Sequence, residues 1–132
     1  MSTKKERKKI EAIDVLLTAI INGLQEKKGI NIVSMDLRNV QNSVADYFVI
    51  CSATSDTQAD ALASSVKKEV WDLLQEHPYS VEGKSNKQWI LVDYFNVIVH
   101  IFLKDQRNRY GLEELWGDAL IVAHDQVAKP KA

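Results

Sequence analysis

Two apolar stretches, separated by one long amphipathic segment, set what this 132-residue chain can fold into. The first is Asp46-Tyr47-Phe48-Val49-Ile50-Cys51-Ser52, which runs into the hydroxyl-rich Ser52-Ala53-Thr54-Ser55-Asp56. The second is Trp89-Ile90-Leu91-Val92-Asp93-Tyr94, a break at Phe95-Asn96, then Val97-Ile98-Val99-His100-Ile101-Phe102-Leu103. Short runs rich in β-branched and aromatic residues read as strands, and a two-residue break between two of them reads as a hairpin. Tyr47 to Cys51 is apolar on both faces, which marks a central strand. Between the stretches, Ala59, Leu62, Ala63, Val66, Val70, Leu73 and Leu74 recur at helical spacing. The capping box Ser55-x-x-Gln58 starts a helix there and Pro78 stops it, so the spacing predicts a helix over 56–77.

The remaining elements follow from the same rules. Ile10, Ile13, Leu17, Ile20 and Leu24, widened by Leu16 and Ile21, form a second helical stripe. Thr3-x-x-Glu6 suits its start and Gly29 its close. Gly23 inside it costs about 1 kcal/mol against alanine. Ile30 to Leu37 and Tyr79 to Glu82 read as strands, Arg38 to Val44 as a turn, and Leu112 to Trp116 as a short helix. Residues 119–123 are apolar but too short to assign. The order predicts an α/β (α+β) single domain: a mixed five-stranded sheet with flanking helices. Residues 1–9 form a basic N-terminal tail or frayed helix start, and residues 120–132 a C-terminal tail.

Composition narrows the class. An apolar fraction of 45% supports a core. No apolar run approaches the ~20 residues needed to span a bilayer. The basic start is followed by Glu11 and Asp14 and by no small-residue cleavage site, unlike a secretory signal. Cys51, the single cysteine, cannot form an internal disulfide, which suits a reducing compartment. A cytoplasmic protein without a membrane partner is expected. Residues 1–28 carry a balance of +3 and residues 29–132 a balance of −4. A direct grip on a phosphate backbone wants a basic face, so nucleic-acid contact should be minor or absent. An acidic body fits better against a basic protein.

The residues offer little for bond-breaking chemistry. Ser52 to Asp56 lacks the glycines of a phosphate loop and reads as a helix cap. Cys51 lies inside an apolar strand, and His77, His100 and His124 are scattered, so the thiol reads as packing and His100 as structural. No spacing suggests a metal site, and no cofactor is expected. Asp36, Asp46 and Asp93 each stand alone, whereas two-metal phosphoryl transfer wants paired carboxylates. On strand 89–94, alternation puts Trp89, Leu91 and Asp93 on one face and Ile90, Val92 and Tyr94 on the other. An aromatic ringed by polar groups is the pattern of an interface hot spot. A core Trp89 with Asp93 at the strand end fits too, and pattern alone favours that blander reading. Arg107 and Arg109 read as solvated charges, and Trp116 as either core or contact.

Taken together, these residues resemble the Iojap-related ribosomal silencing factor family. The resemblance rests on Asp46 to Ser52 with Thr54, Ser55, Asp56 and Gln58, on Glu82-Gly83, and on Trp89-x-Leu91-x-Asp93-Tyr94. It continues through Val97-x-Val99-His100-Ile101-Phe102 to Arg107-x-x-Tyr110-x-Leu112-Glu113-x-Leu115-Trp116-x-Asp118-Ala119. It spans about residues 10–119, taken as the ribosomal silencing factor domain. The resemblance implies a fold akin to nucleotidyltransferases but without the catalytic acids, and no enzyme activity. It implies a translational repressor that binds the large ribosomal subunit through its fourteenth protein and sterically blocks joining with the small subunit. It also implies contact roles for Glu82, Trp89, Asp93, Tyr94, Glu113 and Trp116, with Trp89 and Asp93 as the open pair. Two departures stand out: Ala53 and Phe95-Asn96 occupy positions where the family commonly carries glycine. A nucleotidyltransferase-like enzyme and a homodimeric scaffold are the competing functions.

Overall fold

The computed structural model describes residues 4–83, 85, 88–107, 111 and 119–124, with side chains from Ala12 onward. Helix α1 spans Lys4–Glu26 and helix α2 Asp56–Leu74. The strands are β1 Ile30–Asp36, β2 Tyr47–Ala53, β3 Ser80–Glu82, β4 Trp89–Asp93, β5 Val97–Leu103 and β6 Leu120–Ala123. They form one mixed sheet in the order β3-β4-β5-β2-β1-β6, in which only β2 and β5 pair in parallel. The class is the expected one, with six strands rather than five. The additional strand is β6, which pairs antiparallel with β1 through Met35 and Ile121. Its four exposed residues, placed by the sequence in the C-terminal tail, form a run too short to be assigned from pattern alone.

Both helices cover the same face of the sheet. Leu16, Ala19, Ile20 and Leu24 of α1 and Leu62, Ala63, Val66 and Val70 of α2 pack on Val49, Cys51, Ile90, Val92, Val99 and Ile101. The helices cross at Gly23, where an added Cβ would stand 2.9 Å from the Val66 Cα. Ser65 Oγ donates to the Gly23 carbonyl there at 2.7 Å. The glycine therefore permits the close approach of two backbones, which outweighs its poor helix propensity. The opposite face carries a smaller cluster of Val33, Met35, Leu37, Ala45, Phe48, Ile50, Ile98 and Phe102.

Several ends differ from expectation in an instructive way. Ser55 caps α2 by accepting from Gln58 N–H at 3.1 Å. Gln58 does not reach back to Ser55; it accepts from Thr54 N–H and donates to the carbonyls of Lys27 and Lys28, tying the end of α1 to the start of α2. α2 ends at Leu74, not residue 77, because Gln75 turns left-handed and its N–H bonds the Trp71 carbonyl. At the end of α1 the left-handed residue is Lys28, φ 61°, one before Gly29. Thr3 and the expected helix 112–116 lie outside the described residues.

Candidate partner-binding surface

The hairpin register determines what stands beside Trp89. The two-residue turn at Phe95-Asn96 pairs Asp93 with Ile98, Leu91 with His100 and Trp89 with Phe102. β3 adds Ser80 opposite Asp93 and Glu82 opposite Leu91. Paired residues share a face, so Glu82, Trp89, Leu91 and Asp93 stand together on the side of the sheet away from the helices. Glu82 is exposed, while Trp89, Leu91 and Asp93 are half-buried. Behind them, Ile98, His100 and Phe102 are buried. The surface thus passes from an acidic rim through an aromatic and an aliphatic side chain into a packed layer.

Hydrogen bonds hold two of these side chains. Asp93 Oδ1 accepts from the Phe95 N–H at 2.7 Å. That bond supports a residue at φ 67°, where a γ-type turn runs from the Tyr94 carbonyl to the Asn96 N–H. Positive φ falls on Phe95 rather than on Asn96, and the Phe95 ring projects, 63% exposed, against Tyr79 at 4.4 Å between centroids. Trp89 Nε1–H donates to His100 Nδ1 at 3.0 Å. The indole also lies over Phe102, with centroids 5.0 Å apart. Burial lowers the His100 pKa from its ordinary 6.5 to about 4, so the ring is neutral at physiological pH.

The structure separates the sequence-derived site residues. Glu82, Trp89 and Asp93 come together. Tyr94 does not: strand alternation turns it under the helices, only 6% exposed. Its hydroxyl is buried with no partner among the described residues, beside a cavity of about 90 Å³ lined by Ala12, Ile13, Leu16, Glu76 and Asn96. Burial raises its pKa. Tyr94 therefore stands apart from the other expected contact residues, on the helix side of the sheet. Glu113 and Trp116 lie outside the described residues.

Other candidate groups also find their places. Cys51 is buried, and desolvation pushes its thiol up to about 12. It is poorly suited to act as a nucleophile. Arg107, expected in solvent, instead donates to the Asn31 carbonyl at 2.6 Å and to Ser52 Oγ at 3.0 Å. Ala53 occupies its position in β2 without positive φ, so glycine is not needed there. Among the described residues, no group of three or more His, Cys, Asp or Glu is placed to hold a metal ion. No described helix is long and apolar enough to cross a membrane. Sequence reasoning missed the pairing of His100 with Trp89. The available signal was the two-residue turn, which sets that register once the hairpin is accepted.

A two-layer domain with one face closed by helices and the other presenting an aromatic-acidic patch belongs to the class of single-sheet α/β domains. Residues 9–132 match the family model described as "Ribosomal silencing factor during starvation". The chain belongs to this family. It is 41% identical over 97 residues to "Ribosomal silencing factor RsfS" of Bacillus subtilis, covering 71% of this chain and 78% of that protein. It is 37% identical over 73 residues to "Mitochondrial assembly of ribosomal large subunit protein 1" of Mus musculus, covering 54% of this chain and 32% of that protein. A crystal structure of a protein from Chromobacterium violaceum superposes with a TM-score of 0.72 at 29% identity, covering 87% of this chain and 94% of that one.

Proposed function

We propose that this chain represses translation by binding the large ribosomal subunit through its fourteenth protein and occluding the surface on which the small subunit docks. Occlusion requires residence and bulk, so no residue is assigned a catalytic role. The observation that carries the reading is the placement of Glu82, Trp89 and Asp93 on the helix-free face by the two adjacent strands β3 and β4. A half-buried aromatic beside carboxylates is the composition of a hot spot for a basic partner. Family membership supports the ribosomal setting, and the name of the mouse relative supports the large subunit. The proposed place of action is the cytoplasm, where the ribosomes are.

Co-sedimentation tests this directly. The chain should pellet with purified large subunits, and prior binding should keep small subunits from joining. Failure to pellet with large subunits would contradict the reading. A second reading, homodimerisation of the free protein, has one observation in its favour. β6 is an edge strand in which Leu120, Ile121 and Val122 are all exposed, the kind of edge that pairs with another chain. Light scattering on the purified protein distinguishes a dimer from a monomer.

A further inference from the structure

His100 stands directly behind Trp89, and the bond between them fixes the imidazole tautomer. Nδ1 accepts from the indole, so in the neutral ring the proton lies on Nε2. Nε2 is buried and meets no acceptor among the described residues. The ring is held edge-on by Phe48, with centroids 4.6 Å apart and planes at 70°, and lies parallel to Phe102. The residues paired with it on the two flanking strands, Leu91 and Ile50, are apolar. A buried donor without a partner destabilises a fold, and an apolar side chain of similar shape would remove that penalty. What the histidine supplies and an apolar residue would not is a lone pair aimed at the indole.

That lone pair has a consequence for binding. A half-buried indole whose N–H could turn to water would sample more than one rotamer. Pinned from behind, it presents one orientation, and freedom surrendered in the free protein is not lost again on association.

We infer that His100 is a positioning residue for the partner contact: a buried imidazole whose Nδ1 locks the Trp89 indole in the orientation the partner takes up. The inference rests on Trp89 being an anchor for the large ribosomal subunit. It adds a statement about chemistry. With the N–H consumed inside the protein, Trp89 offers its partner ring surface only, and polar recognition falls to Glu82 and Asp93.

The test uses the full chain with purified large subunits as the probe, and ¹⁵N-labelled indole resonances of the free protein. The Trp89 signal is identified by its loss in Trp89→Phe. His100→Phe removes the acceptor and keeps a ring; His100→Leu, carried beside it, removes the acceptor with less bulk. His100→Asn brings an oxygen close to the former Nδ1 position. The acceptor-free variants should move the Trp89 indole resonance, speed its exchange with water and weaken large-subunit binding about five- to tenfold. Their thermal midpoints should be unchanged or raised. His100→Asn should recover most of the affinity. In a Trp89→Phe background, removing the acceptor should cause no further loss. An unmoved indole resonance, or the same loss with and without the Trp89 N–H, overturns the positioning role while leaving subunit binding intact. A wild-type chain that does not bind large subunits overturns the underlying reading as well, and the indole resonance then reports on the lock by itself.

Discussion

The two faces of strand β4 are built to different rules. Toward the helices, Ile90, Val92 and Tyr94 are at most 6% exposed, within a cluster drawn from both helices and five strands. Away from them, Trp89, Leu91 and Asp93 remain half-exposed, and two of the three are held by hydrogen bonds. The first face follows the logic of burial, in which apolar area is removed from water without regard to direction. The second fixes the direction of particular side chains and retains a histidine whose donor meets no acceptor among the described residues. Sequences that specify a fold are locally consistent, and departures concentrate where function is served. These six consecutive residues therefore divide between stability and recognition, and each half should fail in its own way.

The largest expected effect is on the closed face. Ile90→Ala should lower unfolding free energy by about 2–5 kcal/mol, through lost burial and the cavity left behind. Large-subunit affinity of the folded fraction should stay constant. Chemical denaturation together with binding measured below the transition checks both halves; a loss of affinity in the folded protein would erase the distinction between the faces.

Acid and alkali should attack opposite faces. The His100 pKa is about 4 in the fold against an ordinary 6.5, so between these values the unfolded chain binds the additional proton. Its stabilising contribution is present above pH 6.5 and lost as pH falls toward 4, about 3 kcal/mol across that window. Cys51 and Tyr94 behave the other way. Burial raises both, Cys51 from 9.0 to about 12, so their contribution is full below pH 9 and lost as pH rises beyond it. Denaturation midpoints measured against pH should fall at both ends. In His100→Phe the acid limb between pH 6.5 and 4 should flatten while the alkaline limb stays. A wild-type acid limb retained in that variant would assign it to other groups.

On the open face the effects move from stability to binding. Trp89→Ala should weaken large-subunit binding by about 2 kcal/mol or more, roughly thirtyfold. Unchanged affinity in a folded variant would remove Trp89 from the contact. The smallest effect is expected at the rim. Glu82→Gln should slow association and reduce its salt dependence, changing affinity by less than about 1 kcal/mol. Association rates at two ionic strengths suffice, and a salt response identical to wild type would place Glu82 outside the interface.

Much of this was legible in the sequence because local chemistry and global fold agree. Ser55 caps α2 as its spacing predicts, and alternation along residues 89–94 separates Trp89 and Asp93 from the helix side. The same alternation argues against Tyr94 as a contact, while resemblance to a family motif argues for it; the structure places it under the helices. What sequence did not disclose depends on distant partners. Gly23 appears as a weakness until Val66 is seen beside it. Arg107 appears solvated until Asn31 and Ser52 come within reach. β6 is four residues whose strand character comes from pairing with β1. At two of the left-handed positions the conformation falls one residue before the one with the lower intrinsic cost: on Lys28 rather than Gly29, and on Phe95 rather than Asn96. In each case hydrogen bonds formed around the turn, from Lys28 to Gln25 and from Phe95 to Asp93, decide which residue adopts it.

The most direct measurement is the rate at which purified large and small ribosomal subunits associate, followed by light scattering as this chain is titrated in. Joining should slow in proportion to occupancy of the large subunit, and Trp89→Ala should require a correspondingly higher concentration for the same delay. Joining at an unchanged rate with the large subunit saturated by the chain would contradict occlusion.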